Sequence, residues 1–536
     1  MTESYAEIIE KQKADGIVET ASDQPCGVEF YIPHKPVVRE AAESTKLRIV
    51  YDASARAYPE APSLNECLNA GPPLQNRLWN VLVRLRFHPV AVTGDLKQAF
   101  LQVRIKEAER DALRFHWRAD EHSEIETLRF TRALFGLAPS PFLLGGVIEQ
   151  HLESWESRAP NVVAEIRKSM YVDDLISGKT TVKKAQLFKQ EATEIFHDAT
   201  FTLHKWHSNA AELEEATTNV TGEQTFAKQQ LGTASGGDSS LLGLTWNKCD
   251  DVISVVVPEE KATPTKRGVL RKLAKIYDPL GFASPQILQG KFIYREVCQT
   301  KLAWDVPLQS ELMKRWERWE QLLPNKVITT RTLAKYREDI ESIELHTFGD
   351  ASIKGVSSVV YAVVRQKSGV TKGLVAAKAR LAKQGLTIPR LELVSAHMAA
   401  NLISNVQVAL EGFPVTILHG WLDSTVALHW IRGAGEHKQF VANRVRKIQA
   451  HSQIQWRHVP TKENPADLGS RGGEVKDDRL WWDGPEWLSE QENWPSNITT
   501  KATKETDAEA KVVRNSLPRP SKWLLTVLTT SWQSST

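Results

Sequence analysis

Seven acids stand out by their neighbourhoods. In HPVAVTGDLKQAFLQVRI (88–105) an apolar run ends on Asp95, and in SMYVDDLISG (169–178) Asp173 and Asp174 sit side by side between two apolar runs. An Asp-Asp pair alone is most often a solvated turn. Here the flanking runs read as strands, which places the pair on a tight hairpin turn, with a further strand delivering a third acid. Adjacent carboxylates repel and are costly to gather without a cation. Three of them, with no His or Cys close by in the strings, favour a hard oxygen-seeking ion, Mg²⁺ or Mn²⁺. Two such ions about 3.5–4 Å apart would activate a hydroxyl and steady a leaving phosphate oxygen. A second set is spread more widely: Asp350 in FGDAS, Glu392 in IPRLELVSAH, Asp423 in WLDSTVAL and Asp467 in HVPTKENPADLGSRG. Each alone reads as a surface residue. As an ordered set, at strand ends and on one helix, they can converge at the end of an α/β sheet on a metal pair.

The elements that must position these acids follow from pattern. Residues 1 to about 205 alternate short apolar runs with polar turns and read as mixed α/β. The segment 207–240 is polar and ends in GTASGGDSS (232–240), a flexible loop or linker. LLGLTWN (241–247) reads as a short strand. TPTKRGVLRKLAKIYDPLG (263–281) fits a helix with Leu270, Leu273 and Ile276/Tyr277 on one face. Lys266, Arg267, Arg271, Lys272 and Lys275 fill the rest, and Asp278-Pro279 ends it. WDVPLQSELMKRWERWEQLLP (304–324) suggests another helix that stops at Pro324. From about Ser342 two β-rich runs suit a hairpin. A helix opened by Pro389, a strand in FPVTILHGWLDS and a helix in STVALHWI follow, and this β-β-α-β-α order predicts an α/β sheet. The stretch from about 476 is rich in Trp and polar residues and reads as a weakly structured extension.

Composition bounds the rest. The 536 residues suit about three to five domains. An apolar fraction of 41% and a charged fraction of 25% exclude wholesale disorder and a collagen-like chain. No run of 18 apolar residues occurs, so no transmembrane helix is expected. The first twenty residues are charged throughout and do not form a secretory signal. Four scattered cysteines with no C-x-x-C pair argue against a disulfide framework or a thiolate zinc site, and predict an intracellular protein. A net charge of +3 neither demands nor excludes nucleic acid.

The strings around these acids carry a resemblance. FYIPHKPVVRE (30–40), KLRIVYDAS (46–54), SLNECLNAGPPL (63–74), AVTGDLKQAFLQV (91–103), LRFTRALFGLAPSPFLL (128–144), YVDD (171–174), LHKW (203–206), LLGLTW (241–246) and YDPLGFASP (277–285) run in order along the chain. The chain resembles reverse transcriptases, and most nearly the Pol polyprotein of BEL/Pao-type LTR retrotransposons. That resemblance implies an α+β chain. A right-hand polymerase of fingers, palm and thumb is followed by an RNase H-like α/β domain. The implied boundaries are 1–248 fingers and palm, 249–300 a thumb-like segment, 301–341 a connection, 342–475 the RNase H-like domain and 476–536 a tail leading towards integrase. No H-H-C-C pattern or integrase acid triad follows, so integrase is expected to be absent.

The resemblance also assigns roles. Asp95, Asp173 and Asp174 match the metal-binding acids of the palm, with Asp173 as the most direct ligand. Arg48, assisted by Lys46, matches the contact to the incoming triphosphate. Phe100 matches the aromatic gate that excludes a ribose 2′-hydroxyl. Gly136 matches the glycine beside the nucleotide pocket, and Lys205 the Lys near the leaving pyrophosphate. Leu242-Gly243 resembles the primer grip. Lys266, Arg267, Arg271, Lys272 and Lys275 fall where a thumb tracks template–primer phosphates. Asp350, Glu392, Asp423 and Asp467 match the D-E-D-D set that hydrolyses the RNA of an RNA–DNA hybrid. Two Mg²⁺ or Mn²⁺ per active site are implied. So are an RNA or DNA template–primer, an RNA–DNA hybrid and dNTPs, with Gag and Pol products as assembly partners and no membrane. Cytoplasmic particles with a nuclear phase are the expected location.

Three departures accompany the resemblance. Phe135 stands where many reverse transcriptases have Gln. Leu422 replaces the Thr common before the third nuclease acid, and Lys462 stands where retroviral enzymes carry a loop His. His458 is expected to be structural. Ser424 and Arg471 lie near the nuclease acids in sequence. An inactive or domesticated remnant that binds nucleic acid without catalysis stays open as a second reading. An inactive chain that assembles with a complete Pol protein is a third.

Overall fold

The computed structural model describes residues 2–38, 47–120, 122–214 and 239–511. Lys46 and most of the polar stretch 207–240 fall outside them. In chain order the first part holds α1 (Thr2–Ala14), β1 (Val18–Thr20), the hairpin β2 (His34–Val38) and β3 (Leu47–Tyr51), α2 (Leu78–Leu85) and β4 (Val90–Leu96). Then come β5 (Arg114–Trp117), β6 (Glu126–Phe130), α3 (Ser140–Trp155), α4 (Pro160–Ser169), β7 (Met170–Tyr171), β8 (Asp174–Lys179), α5 (Val182–Asp198) and β9 (Leu203–Ser208). An antiparallel sheet in the order β7-β8-β4-β9 forms its centre. The helix α5 turns Ala185, Phe188, Ala192, Ile195 and Phe196 onto this sheet, one apolar stripe at helical spacing.

A second sheet orders β10 (Ser239–Leu241), β11 (Leu244–Asn247), β12 (Val252–Val256) and β13 (Lys326–Thr330). LLGLTWN is therefore two strands, and Leu242 and Gly243, both at positive φ, make the turn between them. Between β12 and β13 lie α6 (Lys266–Lys275), α7 (Ser284–Gln299) and α8 (Ser310–Leu322). The buried Asp278 carboxylate accepts from the N–H groups of Phe282 and Ala283, both at 2.9 Å, and so anchors the chain leading into α7. Burial pushes that carboxyl up to about 6.

The C-terminal sheet is β16-β15-β14-β17-β18, built from β14 (Ile340–Ala351), β15 (Gly355–Gln366), β16 (Gly369–Leu381), β17 (Val415–Leu422) and β18 (Ile454–His458). Its helices are α9 (Ile388–Ala409), α10 (Thr425–Arg432), α11 (Gln439–Gln449) and α12 (Ala466–Arg471). The first three strands are antiparallel, and β14, β17 and β18 run parallel. The expected β-β-α-β-α order holds but omits β16, α11 and β18. The β16 sequence GVTKGLVAAKARL is rich in Ala and Lys, which carry little strand propensity.

The stretch after 476 is packed, contrary to the sequence expectation of a weakly structured extension. Trp481 is fully buried and donates to the Phe282 carbonyl at 3.1 Å. Trp487 lies against Trp421 and Trp494 against His419, covering one face of the C-terminal sheet. A short helix, α13 (Lys504–Ala508), ends the described chain. None of the described helices is long and apolar enough to cross a membrane.

Two buried arginines stitch the parts together. Arg86 donates to the carbonyls of Leu374 and Val375 on β16, and to those of Thr330 and Arg331 at the end of β13. Arg331 forks onto Asp251 at 2.6 and 2.7 Å and donates to the carbonyls of Leu85 and His88. Removing one partner of such a pair strands a buried charge. Arg331→Ala is expected to cost about 3–5 kcal/mol, read as a lowered urea midpoint at unchanged slope.

Candidate active sites

Strand pairing assembles the first site. Asp95, near the end of the central strand β4, is the cross-strand partner of Asp174 on β8. Val172 and Asp173 form the two-residue turn between β7 and β8, with Val172 at positive φ, and the Asp173 carbonyl accepts from Leu96 N–H at 2.9 Å. The turn is thus bound back onto β4, and all three acids lie at one end of the sheet. Asp95 and Asp173 are buried and Asp174 is half-buried.

On the other side of β4, pairing slips by one residue between Thr93 and Asp95. Lys205 takes positive φ in the extra residue of β9. Regular alternation would send His204 and Lys205 to opposite faces. The bulge lets both reach one oxygen of Asp95, His204 Nε2 at 3.4 Å and Lys205 Nζ at 3.3 Å. Sequence reasoning singled out Lys205 but missed His204, which local spacing hides.

Phe100 follows β4 on a single helical turn and is buried. Its ring meets Phe135 edge-on at 5.7 Å. The aromatic that replaces Gln therefore sits against the expected gate. Gly136 has φ +91°, and a Cβ there would meet nothing within 4 Å, so its backbone conformation rather than space favours glycine. Asn65, from the SLNECL string, donates to the Gly136 carbonyl at 2.9 Å and accepts from Ala138 N–H at 2.8 Å. Arg48 is half-buried on β3, paired with Val37 across the hairpin. Lys46 lies outside the described residues.

The basic helix α6 differs from its expected amphipathic pattern. Leu270 is exposed, whereas Lys272 is buried. The Lys272 ammonium donates to the carbonyls of Pro258 and Glu260 and stands 3.4 Å from Glu320. Lys275 pairs with Glu260 at 2.5 Å, and Arg267 forks onto Asp305 at 2.7 and 3.0 Å. Lys266 lies over the Trp304 ring. Arg271 is exposed. The helix itself has no acid, but neighbouring segments bring three.

The second site gathers its acids at one end of the C-terminal sheet. Asp350 is the penultimate residue of β14, Asp423 follows β17, Glu392 lies in the second turn of α9 and Asp467 in α12. The Ser470 hydroxyl donates to Asp350, while Ser424 beside Glu392, and Thr461 and Asn464 beside Asp423, favour the charged form of those carboxyls. Asn464, fully buried, also donates to the Gly349 carbonyl at 3.1 Å, tying the last loop to β14. Arg471 pairs with Asp467 at 2.6 Å. Ser470, Thr461 and Asn464 were not singled out from sequence, because small polar residues in a short, Pro- and Gly-rich stretch carry no periodic signal. His458, at the end of β18, is half-buried, and burial lowers its pKa.

Electrostatics shows what these carboxylates lack. Burial first, and then the carboxylates of Asp423 and Asp350, push Glu392 up to about 7. Burial, Asp423 and Asp467 push Asp350 up to about 6, and burial raises Asp423. Among the described residues no group of three His, Cys, Asp or Glu side chains is drawn together tightly enough to hold an ion. An oxygen-only donor set in which burial and like charge raise the carboxyl pKa values suits a hard divalent cation.

Residues 265–424 match the family model described as the Pao retrotransposon-like RNaseH-like domain. The match opens on the cap of α6 and closes just after Asp423. No curated protein matches the chain. Among solved structures, a foamy viral protease–reverse transcriptase dRH in complex with double-stranded DNA aligns with TM-score 0.56 and 16% identity, over 85% of this chain and 69% of that one. A foamy viral protease–reverse transcriptase bound to an RNA/DNA hybrid aligns with TM-score 0.53 and 15% identity, over 94% of this chain and 56% of that one. Another, bound to double-stranded DNA, gives 0.52 and 16%, over 85% and 82%. At such identities the likeness is one of fold. These matches give the chain a mixed helix-and-strand fold like that of retroviral reverse transcriptases, with an RNase H-like domain in its C-terminal region similar to that of Pao retrotransposons.

Proposed function

We propose that the chain is an RNA-directed DNA polymerase with RNase H activity. The observation that carries the polymerase half is the cross-strand pairing of Asp95 with Asp174, with Asp173 in the adjoining turn. Asp95, Asp173 and Asp174 would hold two Mg²⁺ or Mn²⁺ ions, as would Asp350, Glu392, Asp423 and Asp467. These ions supply the charge neutralisation and nucleophile activation that phosphoryl transfer needs.

The chain's own residues do the remaining work. Arg48 binds the triphosphate of the incoming dNTP. Phe100, backed by Phe135, closes the space a 2′-hydroxyl needs, and Asn65 fixes the loop that carries Gly136. Lys205 and His204 orient Asp95. In the second site, Ser470 holds the Asp350 carboxylate, Ser424 that of Glu392, and Asn464 that of Asp423. Template–primer and hybrid are the proposed nucleic-acid partners.

The deciding experiment is primer extension on an RNA template with Mg²⁺ or Mn²⁺, with hybrid cleavage measured in parallel. Extension and cleavage that both need the metal would support the reading, and a folded protein with neither would sink it. Sugar selection provides a narrower test. Phe100→Val is expected to raise ribonucleotide incorporation relative to deoxynucleotide by about 10²-fold, a loss of about 3 kcal/mol of discrimination. Unchanged selection would make Phe100 a core aromatic only.

A non-catalytic, nucleic-acid-binding reading draws on one observation, the Lys205 ammonium that already partners Asp95. It predicts salt-sensitive hybrid binding without metal-dependent turnover.

A further inference from the structure

The stretch that ends the described chain crosses the loop between α10 and α11 and meets the first turn of α9, the helix that carries Glu392, as a strap. Helix α13 is fixed by a capping box, in which Thr503 and Thr506 bond each other's backbone. Its far end pairs with the loop between α10 and α11: Lys438 N–H donates to the Glu509 carbonyl at 2.7 Å, and Lys511 N–H to the Glu436 carbonyl at 2.9 Å. Nearer β18, Arg432 donates to the Ile498 carbonyl at 2.8 Å.

Under this strap lies a notch with more positive charge than it needs for itself. Arg390, in the first turn of α9 and two residues before Glu392, stacks over Phe440 at 5.1 Å, and Arg444 stacks on the same ring at 3.6 Å. Two guanidiniums thus share one phenyl ring. The α9 N-terminus adds its partial positive charge. Among the described residues a single carboxylate pairs with them. Glu509, 9% exposed, accepts from Arg390 Nε through Oε1 at 2.7 Å. Its other oxygen, Oε2, is buried and has no hydrogen-bond partner. Among the described residues Arg444 donates only to the carbonyl of Phe440, on its own helix. A carboxylate and a backbone phosphodiester each present two acceptor oxygens on one negative charge, so one can stand in for the other at a guanidinium fork.

We propose that Glu509 holds the place of a nucleic-acid phosphate: with the strap lifted, Arg390 and Arg444 grip one backbone phosphate of an RNA–DNA hybrid at the nuclease site. The strap therefore competes with substrate, and Glu509 is the competing group. This rests on the nuclease reading of the four acids. Arg390 and Arg444 are positioning residues for the hybrid and touch no reacting atom.

The test is binding of a labelled RNA–DNA hybrid to the full chain by fluorescence anisotropy, in EDTA, over a salt series. Glu509→Gln keeps the shape and removes the charge. It is expected to tighten binding about three- to tenfold and to steepen the slope of log affinity against log salt by about 0.9, one added phosphate contact. Arg390→Ala in the Glu509→Gln background should erase both gains. Thr506→Val loosens the capping box without touching the notch, and should shift affinity the same way if Glu509→Gln folds poorly. Unchanged or weaker binding by both Glu509→Gln and Thr506→Val would overturn the proposal and leave Glu509 as a structural ion pair. Inorganic phosphate that abolishes the difference between parent and Glu509→Gln, with no change in salt slope, would assign the notch to a free anion and equally overturn it. Because binding is read without metal, the nuclease reading fails separately. Hybrid cleavage that does not depend on Asp423 would sink that reading, whatever Glu509 does.

Discussion

Asp173→Asn is expected to lower nucleotide incorporation about a thousandfold or more while the protein stays folded. The substitution is isosteric and removes only the charge. Loss of a direct carboxylate ligand forfeits several kcal/mol of charge stabilisation, and each 1.36 kcal/mol is a factor of ten in rate. The fold should tolerate it because the turn is held by its backbone. The Asp173 carbonyl still accepts from Leu96 N–H, and Val172 still supplies the positive φ. Primer extension on an RNA template, beside an unchanged thermal midpoint, checks both halves of the expectation. Incorporation at the parental rate would mean that the Y-V-D-D turn is not the palm site.

Asp423→Asn is expected to abolish hybrid cleavage, by about a thousandfold, and to leave primer extension within about twofold. The asymmetry follows from geometry, since Asp423 lies at the end of the C-terminal sheet and Asp95, Asp173 and Asp174 at the end of another. Loss of both activities, or of neither, would count against two separate sites. The same cluster sets a pH dependence. Glu392 and Asp350 have folded pKa values raised to about 7 and about 6, above ordinary values of 4.5 and 3.8. Folding therefore takes up protons, and the stabilisation is complete below about pH 4 and lost as pH rises through 7. In chelator the thermal midpoint should fall between about pH 5 and 7.5. Mg²⁺ should restore it at pH 8, and Asp423→Asn should flatten the profile by removing a like charge. A pH-independent midpoint would show that these carboxylates do not crowd one another.

The sites were more legible than the packing around them. Asp95, Asp173 and Asp174 were legible because apolar runs flank them, and Asp350, Glu392, Asp423 and Asp467 only as an ordered set. Their partners were not. His204 reaches Asp95 only because a bulge suspends alternation in β9. The pattern of α6 placed Leu273, Ile276 and Tyr277 against the core, but it put Leu270 there too and left Lys272 outside. The burial of Lys272 depends on Glu320, distant in sequence. The tail offered Trp residues without periodicity, and their burial depends on the face of a distant sheet. Asn464 and Ser470 look like loop polarity until the sheet end places Gly349 and Asp350 beside them.

The stitching by Arg86 and Arg331 bears on heredity. Arg86 comes from the segment before β4, yet it is satisfied by carbonyls of β16, in the other half of the chain. A foreign RNase H-like domain spliced behind this reverse-transcriptase fold would have to present those carbonyls in the same places, or leave a guanidinium stranded at a cost of several kcal/mol. Piecemeal exchange between lineages is thereby penalised, and the two halves should share one ancestry and accumulate substitutions as a matched pair.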